Sequence, residues 1–187
     1  MSKQQQLDQI ANEIKNCKLC QKDSIGLPVF GEGNPDAKIM FIGEAPGKQE
    51  ATTGRPFIGR SGKFLREQIK AIGLTEDEVY ITSPVKYLPE RGTPSKEQIA
   101  HARTHFLKQI EIIDPQFMVL MGKVAAWGVL NREIAVAKMH GQTLQENGKT
   151  YFFMYHPAAA IRFFKFRQTF IDDFQKLKGL LSANLSS

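Results

Sequence analysis

The sequence is poor in cysteine, because only Cys17 and Cys20 occur among 187 residues. Two thiols cannot build the disulfide framework of a small secreted protein. Long apolar runs are also lacking: IMFIG and FMVLMG are far shorter than the roughly 20 residues that span a bilayer. The stretch MSKQQQLDQIANEIKNC has no apolar segment of the signal-peptide kind. We therefore expect a cytoplasmic protein with no membrane partner.

The composition is that of an ordinary globular protein, with 42% hydrophobic and 24% charged residues. The length favours one domain over 1–187, in which segment 1–36, an N-terminal helix and the C-x-x-C, packs on the remainder. The net charge of +6 suits an anionic partner such as nucleic acid. No long apolar stripe suggests a subunit interface, so we expect a monomer.

Two kinds of apolar pattern alternate along the chain. Short apolar runs predict strands at 37–43, 79–83, 116–122 and 150–155. Apolar residues at helical spacing predict helices at 5–16, 61–73, 93–113, 123–130 and 165–182. Strands separated by helices imply right-handed crossovers between parallel strands. The sequence therefore predicts an α/β fold, a three-layer α/β/α domain around a mainly parallel, four-stranded sheet.

Each predicted strand leads into an unusual residue or motif. The first runs into GEAPG (43–47), the second into Ser83, the third into Gly122 and the fourth into His156. In parallel α/β sheets the ligand crevice lies outside the carboxyl ends of the strands. We therefore expect these strand ends to line one site.

The GEAPG loop matches neither G-x-x-x-x-G-K-[ST] nor G-x-G-x-x-G, the common phosphate-binding patterns. Gly43 and Gly47 would let the backbone approach a ligand closely. Glu44 would orient water or stabilise developing positive charge, and Glu50 would support it. The competing interpretation is that both acids are solvated loop residues, and for Glu50 alone the two are equally consistent with the sequence.

Aromatic residues and a late histidine are the other candidate site residues. Phe57, in a polar loop, is either part of the core or a platform for a planar ring. His156, at a strand end, suits a hydrogen-bonding or electrophilic role. The stretch AIRFFKFRQTF (160–170) interleaves basic and aromatic residues. It is typical either of a helix with a solvated basic face or of a surface that neutralises phosphates while an apolar side chain probes between bases.

Five motifs, taken in order, make the chain resemble the uracil-DNA glycosylase superfamily, and within it the bacterial and archaeal family 4 type. The motifs are GEAPGKQE…GRPFIGRSGKFL, VYITSPVK, TP…E, VLMGKVAA and YHPAAAIR. Each is weak alone, but the ordered set is specific. The resemblance spans nearly the whole chain, from CKLC to the last helix.

The resemblance implies a monofunctional DNA glycosylase acting on uracil-containing DNA. Such an enzyme flips a deoxyuridine out of the duplex and hydrolyses its N-glycosidic bond, leaving an abasic site. By this resemblance the base stacks on Phe57, and a neutral His156 donates a hydrogen bond to the uracil O2. Glu44, assisted by Glu50, holds the attacking water. The backbone and side chains that position base and water would be those of Gly43, Ala45, Gly47 and Ser83.

The resemblance also implies a DNA-contacting surface. The residues assigned to it are Ser61, Lys86, Gly122, Lys123, Ala158, Ile161 and Arg162. Ile161 or Arg162 would be the wedge that fills the vacated stack.

The chain departs from the family pattern at two site positions. Ser83 stands where the family usually has an Asn that reads the uracil edge, and a hydroxyl fixes fewer hydrogen bonds than an amide. Ala51 stands where an acidic residue commonly follows Glu50. These changes leave the fold untouched but bear on rate and base specificity.

A further departure concerns the cofactor, since family 4 members hold a [4Fe–4S] cluster on four cysteines, two of them in an N-terminal C-x-x-C. Here the third position matches Tyr87 and the fourth falls near Ala102. Because two thiolates cannot ligate a cubane alone, we predict no cluster.

One alternative is a zinc site. His101 and His105 lie one helical turn apart, and with Cys17 and Cys20 they would make a tetrahedral zinc set. Charged neighbours instead favour a solvated face for both histidines. The sequence therefore predicts no cofactor, with zinc as the alternative.

Three functions remain open at this point. The first is an active glycosylase on uracil or a related deaminated base. The second is a catalytically weak or inactive relative that binds DNA or DNA damage, as Ser83 and Ala51 would allow. The third is another phosphate- or nucleotide-handling α/β enzyme, which the absence of a phosphate-loop pattern disfavours.

Overall fold

The computed structural model describes residues 1–185. The strands of this range are β1 (Ser24–Ile25), β2 (Glu32–Gly33), β3 (Ile39–Ile42), β4 (Val79–Thr82), β5 (Leu88–Pro89), β6 (Phe117–Met121), β7 (Thr143–Glu146) and β8 (Lys149–Met154). The helices are α1 (Lys3–Asn16), α2 (Lys18–Gln21), α3 (Lys48–Thr53), α4 (Arg60–Ala71), α5 (Lys96–Ile113), α6 (Lys123–Leu130), α7 (Val136–Met139), α8 (Pro157–Arg162) and α9 (Phe164–Leu185). None of these helices of residues 1–185 is long and apolar enough to cross a bilayer.

The main sheet of the described range has the strand order β2-β4-β3-β6-β8-β7. Its four inner strands, β4, β3, β6 and β8, are parallel to one another. They are the predicted strands, with ends displaced by no more than two residues. Ile42, the last residue of β3, lies opposite Thr82 on one side and Leu120 on the other, so the carboxyl ends are level. The predicted α/β class is confirmed.

The predicted count of four strands is wrong, because the described sheet has six. β2 and β7 are antiparallel edge strands. β2 has only two residues, and β7 alternates exposed and half-buried positions, so neither forms an apolar run. A local signal for β7 was nevertheless present, since Asn147 and Gly148 both have positive φ in the turn to β8 and Asn-Gly favours such a hairpin.

Alternate residues of β3 face two separate apolar layers. Ile39 and Phe41 pack with side chains of α4 and α9 on one face of the sheet. Met40 and Ile42 pack with side chains of α1, α5 and α6 on the other. Because side chains alternate along a strand, a sheet covered on both faces has strands that are apolar throughout. The three-layer arrangement follows.

The five predicted helices are present as α1, α4, α5, α6 and α9. α5 begins three residues later than predicted, since Ser95 caps it by accepting from the Gln98 N–H, which leaves Pro94 outside the helix. The helices missed by sequence reasoning are α2, α3, α7 and α8. They have only four to six residues, too few for helical periodicity to show.

The N-terminal segment packs along α5 and then reaches the sheet edge. α1 lies against α5, and β1 pairs with β5. The Leu27 N–H donates to the Ala51 carbonyl of α3, and the Val29 N–H donates to the Lys86 carbonyl. Segment 1–36 therefore helps to build the wall at the carboxyl ends of the strands.

Candidate nucleic-acid and catalytic site

A cleft of about 620 Å³ opens where β3, β4 and β8 end. The loops after these strands line it together with α3, the first turn of α4, and α8. The predicted site residues that meet in this cleft are Glu44, Ala45, Gly47, Glu50, Phe57, Ser61, Ser83, His156, Ala158 and Arg162. Residues that are distant in sequence therefore converge at the carboxyl edge of the sheet, where parallel α/β folds place their ligands.

Gly43, directly after β3, lies against the Phe57 ring. A Cβ at this position would stand 2.3 Å from Phe57 Cζ and 3.2 Å from Ser83 Oγ. The first distance is too short for any side chain unless the ring moves, so a glycine is required here. The Gly43 N–H donates to the Thr82 carbonyl, which ties the loop to the end of β4.

Phe57 is held in an unusual backbone conformation. Its φ is 51°, in the left-handed region that non-glycine residues seldom adopt. Arg66 fixes this turn, because its guanidinium donates to the Phe57 carbonyl (3.1 Å) and the Pro56 carbonyl (3.0 Å). Gly62 lets α4 approach the turn, since a Cβ there would lie 2.0 Å from the Phe57 carbonyl carbon. The side chain is 8% exposed and belongs to the core cluster, yet it also lines the cleft.

Glu50 supports the same turn from α3. Its Oε1 accepts hydrogen bonds from the backbone N–H groups of Ile58 (2.9 Å) and Gly59 (2.8 Å). The side chain is buried, so the interpretation of Glu50 as a solvated loop residue is wrong. These contacts make it a positioning residue for Phe57, while a direct part in catalysis stays a prediction.

His156 is held as the N-cap of α8. Its Nδ1 accepts from the Ala158 N–H at 3.2 Å, so in the neutral ring the proton lies on Nε2. Nε2 is buried and has no hydrogen-bond partner among the described residues. Burial lowers the pKa of His156 from 6.5 to about 4, so the ring is neutral at physiological pH. The ring lies 6.2 Å from that of Phe57, between centroids. The histidine therefore offers an unused N–H donor beside the aromatic platform.

Glu44 is half-buried in the loop after β3, and no hydrogen bond or ion pair within residues 1–185 holds its carboxylate. Burial raises the pKa of Glu44, and the positive charge of Lys123 partly opposes this. Lys123 itself is exposed at the start of α6. A desolvated carboxylate without a fixed partner is suited to binding water or a developing cation.

Gly122 and Lys123 lie beside the cleft. Gly122 has a φ of 94° and caps α6, and its N–H donates to the Met154 carbonyl. A Cβ at Gly122 would lie 3.4 Å from His156 Cβ, so this turn packs against the histidine.

Lys86 does not lie on the predicted DNA surface, and this prediction is wrong. Its side chain is 3% exposed, and Nζ donates to Thr82 Oγ1 (2.6 Å), Gln109 Oε1 (2.7 Å) and the Phe30 carbonyl (3.1 Å). Burial lowers the pKa of Lys86 well below its ordinary value. A phosphate cannot reach this amine, because the chain after β4 turns the side chain inward.

The two candidate wedge residues occupy different environments. Arg162 is exposed and lines the cleft. Ile161 is half-buried and packs against the core cluster, and its exposed part lies in a separate depression beside Phe64 and Arg167. Arg162 is therefore the better placed of the two to meet DNA at the cleft.

Sequence reasoning missed several residues at the cleft. They are Val29, Leu88, Gly92, Thr93, Ala159 and Phe163. Phe163 is 45% exposed and its neighbour Phe164 is 91% exposed, which is unusual for large apolar side chains. The interleaved basic and aromatic residues of 160–170 were the signal for these two. No local sequence pattern indicated Val29 or Leu88, because both reach the cleft through the pairing of segments that are distant in the chain.

A second group of side chains lies away from the cleft. One ligand atom each from Cys17, Cys20, His101 and His105 lies within 4.8 Å of the others. The expectation of a solvated face for the two histidines is wrong, since both are half-buried and face the cysteines. The group is a candidate metal site. A cluster on four thiolates does not fit it, because the chain has two cysteines.

Comparison with known proteins agrees with this geometry. The family model described as the Uracil DNA glycosylase superfamily matches residues 30–178. A type-4 uracil-DNA glycosylase of Sulfurisphaera tokodaii is 36% identical, over 93% of this chain and 84% of its own length. Type-4 enzymes of Thermotoga maritima (31%, covering 96% and 97%) and Archaeoglobus fulgidus (33%, covering 91% and 91%) are also similar.

The fold and the cleft define an α/β protein with a site at the carboxyl edge of its sheet. The chain belongs to the uracil-DNA glycosylase superfamily. Its similarity to these type-4 enzymes covers 93% and 96% of the chain.

Proposed function

We propose that the protein is a monofunctional uracil-DNA glycosylase, which extrudes a deoxyuridine from DNA and hydrolyses its N-glycosidic bond. The observation that carries the proposal is the convergence of Phe57, Glu44 and His156 on one cleft. The names of the type-4 relatives support uracil as the base. We further propose that the chain acts as a single domain and a monomer, with DNA as its partner, in the cytoplasm.

The extruded base would lie against the Phe57 ring. A base stacked on an aromatic side chain gains roughly 1–3 kcal/mol, which offsets much of the few kcal/mol that extrusion costs. Gly43 has no side chain to block the approach, and Ser83 Oγ lies near the same point, 3.2 Å from where a Cβ of residue 43 would stand. The strained, doubly anchored turn at Phe57 would keep the ring in place before DNA arrives.

His156 would stabilise the departing uracil. When the bond between C1′ and the base nitrogen breaks, its electron pair goes to the base, and negative charge develops on the uracil O2. The neutral imidazole donates its Nε2–H to this oxygen and keeps its proton. One such donor typically contributes about 10²–10³-fold in rate.

Glu44 would act on the sugar side of the same bond. The sugar acquires positive charge at C1′, which an ionised carboxylate stabilises. Glu44 also binds the water that adds to C1′ and accepts its proton. The uracil anion then takes up a proton from solvent and Glu44 releases its own, so the products are free uracil and an abasic sugar. Burial raises the pKa of Glu44, which makes the carboxylate a better proton acceptor for this water.

DNA would approach the rim that carries Lys123, Arg162 and the exposed Phe163 and Phe164. Cationic side chains position the phosphates, whereas an apolar or planar side chain occupies the space that the base leaves. Arg162 lies over the Phe163 ring, with Cζ 5.2 Å from its centroid. This pair is the proposed wedge.

The test uses oligonucleotides that carry one uracil, single-stranded or duplex, incubated with the full chain and then treated with alkali. We expect scission at uracil and none at thymine. His156→Asn should lower the single-turnover rate by about 10²–10³-fold. Lys38→Ala, an exposed change at the opposite edge of the sheet, is the control and should leave the rate unchanged. Absence of scission on both substrates would contradict the proposal.

One observation favours a second candidate, a relative that binds DNA or DNA damage with little turnover. Ser83 supplies a hydroxyl at the end of β4, and a hydroxyl both donates and accepts. By itself it does not distinguish uracil from cytosine. Salt-dependent binding to uracil or abasic DNA without scission would favour this candidate. Scission at hypoxanthine as well as uracil would instead widen the substrate class to deaminated bases.

A further inference from the structure

The cysteine–histidine group joins two segments that are distant in the chain. Cys17 lies between α1 and α2, as the C-cap of the first and the N-cap of the second, and α2 carries Cys20. His101 and His105 lie on one face of α5, four residues apart, and α1 packs against α5. Cys17 Sγ approaches His101 Nε2 to 3.1 Å. The tertiary structure therefore brings two soft and two borderline ligands to one point.

The spacing of these atoms suits a single ion. A tetrahedral zinc with bonds of about 2.3 Å to sulfur and 2.0–2.1 Å to nitrogen holds its ligand atoms roughly 3.3–3.8 Å apart. The four atoms here are already within 4.8 Å of one another, so small side-chain rotations complete the geometry. A cavity of about 20 Å³ is lined by Cys20, His101 and His105 among others, which is room for one water-sized particle.

The surroundings of His105 are those of a metal-binding histidine. Its Nδ1 lies 3.5 Å from Glu13 Oε2, which also accepts from Lys108 Nζ at 2.8 Å. A histidine that ligates through Nε2 commonly donates its Nδ1–H to a carboxylate, which fixes the ring. Within residues 1–185, the buried Nδ1 has no closer hydrogen-bond partner. Glu13 is thus placed to orient His105 when Nε2 binds an ion.

A four-iron cluster does not fit the same position. Each iron of a cubane occupies its own corner and takes one terminal ligand, so the four ligand atoms are spread farther apart than those sharing one ion. Cluster irons are ligated by thiolates in the usual case, and only Cys17 and Cys20 are available. Two thiolates and two imidazoles are instead a common structural zinc set.

We propose that Cys17, Cys20, His101 and His105 bind one Zn²⁺ in tetrahedral coordination, at the position where the type-4 resemblance implies an iron–sulfur cluster. The ion closes the α1–α2 turn onto α5. The chain leaving α2 forms β1, which pairs with β5, and Leu88 of β5 lines the cleft. The zinc therefore stabilises one wall of the cleft and takes no part in chemistry there.

The first experiment measures the metal content of the full chain, purified without chelators or histidine tags. We expect one zinc per chain, little iron or sulfide, and no broad visible absorption of the iron–sulfur kind. Replacing zinc with Co²⁺ should give the strong visible d–d bands of a tetrahedral sulfur–nitrogen site. Stoichiometric iron and sulfide would overturn the proposal, and so would a protein that takes up neither zinc nor cobalt.

Variants assign the ligands. Cys20→Ser and His101→Asn should each lose the bound zinc, and Glu13→Gln should weaken zinc affinity by about 10–100-fold while keeping the site. His140→Asn is the matched control, because His140 contacts Asp173 elsewhere and should leave the zinc content unchanged. If the ligand variants do not fold, the cobalt spectrum of the unaltered chain still decides the coordination. Zinc retained at full affinity in folded Cys20→Ser and His101→Asn would overturn the assignment.

Discussion

His156 and Glu44 lie on the same cleft, and burial moves their pKa values in opposite directions. Burial penalises the charged form of each group, so the pKa of the histidine falls and that of the glutamate rises. At neutral pH the histidine is therefore an uncharged hydrogen-bond donor, and the glutamate accepts a proton more readily than an exposed carboxylate does. When the environments of two titratable groups shift their pKa values apart in this way, one site can contain both a hydrogen-bond donor and a proton acceptor.

The acid limb of the pH–rate profile is predicted to belong to Glu44. As the pH falls through the raised pKa of Glu44, the carboxylate takes up a proton and loses its affinity for positive charge, so the rate falls. Glu44→Gln should lower the rate at neutral pH and flatten this limb. Single-turnover rates between pH 4 and 8 test the prediction. A limb of unchanged shape in Glu44→Gln would assign it to another group.

His156 is predicted to make the protein less stable in acid. Its pKa is about 4 in the folded state against 6.5 ordinarily, so between these values the unfolded chain binds a proton that the folded chain does not. The contribution of the neutral His156 to the free energy of unfolding is complete above pH 6.5 and is lost as the pH falls towards 4. The stability difference between wild type and His156→Asn should therefore shrink over this window. Denaturant unfolding at pH 7.5 and 4.5 measures it, and a constant difference would contradict the lowered pKa.

At the scale of elements, α3 and α4 hold the Phe57 turn between them. Glu50 of α3 accepts from two backbone N–H groups, and Arg66 of α4 donates to two carbonyls. Arg66 is itself paired with Glu32 of β2 and with Glu76. The strained φ of Phe57 persists because these contacts, made by three different elements, over-determine it.

Glu50→Ala is predicted to lower the free energy of unfolding by about 2–3 kcal/mol, since one buried and one part-buried backbone N–H lose their carboxylate acceptor. The freed turn should also weaken uracil-DNA binding, because the ring is no longer held in position. Glu67→Ala, an exposed acid on α4, is the control and should change stability by less than about 0.5 kcal/mol. Denaturant melts and binding titrations measure both effects. A Glu50→Ala protein as stable as the control would show that the carboxylate does not hold the turn.

At the scale of the whole molecule, the net charge of +6 is distributed over several faces, and only part of it reaches the cleft. Arg162 and Lys123 lie at the cleft rim, Lys86 is internal, and Lys38 lies at the amino ends of the strands. Net charge alone therefore does not identify the binding surface. The position of each cation relative to the strand ends instead distinguishes the cations of the proposed DNA surface from the others.

The salt dependence of DNA binding is predicted to show which of these cations contact phosphates. The slope of log affinity against log salt is about −0.9 for each phosphate neutralised on duplex DNA. Arg162→Ala should make the slope less negative by about one, whereas Lys38→Ala should leave it unchanged. Lys86→Met should lower stability without changing the slope, because its amine is buried. A changed slope in Lys86→Met would indicate that Lys86 contacts a phosphate and would contradict its assignment to the interior.

The sequence by itself determined the inner strands, the long helices and the strand-end positions of Glu44, Ser83 and His156. Apolar periodicity and strand–helix alternation are local patterns that the sequence shows directly. Because parallel α/β folds bind ligands at the carboxyl ends of their strands, these patterns also predict where the site lies.

Only the tertiary structure decided that Lys86 turns inward, that Glu50 anchors the Phe57 turn, and that the histidines of α5 face the C-x-x-C. Side-chain direction and burial are set by neighbours that arrive from distant parts of the chain. A charge in a loop looks the same in sequence whether packing leaves it in water or encloses it.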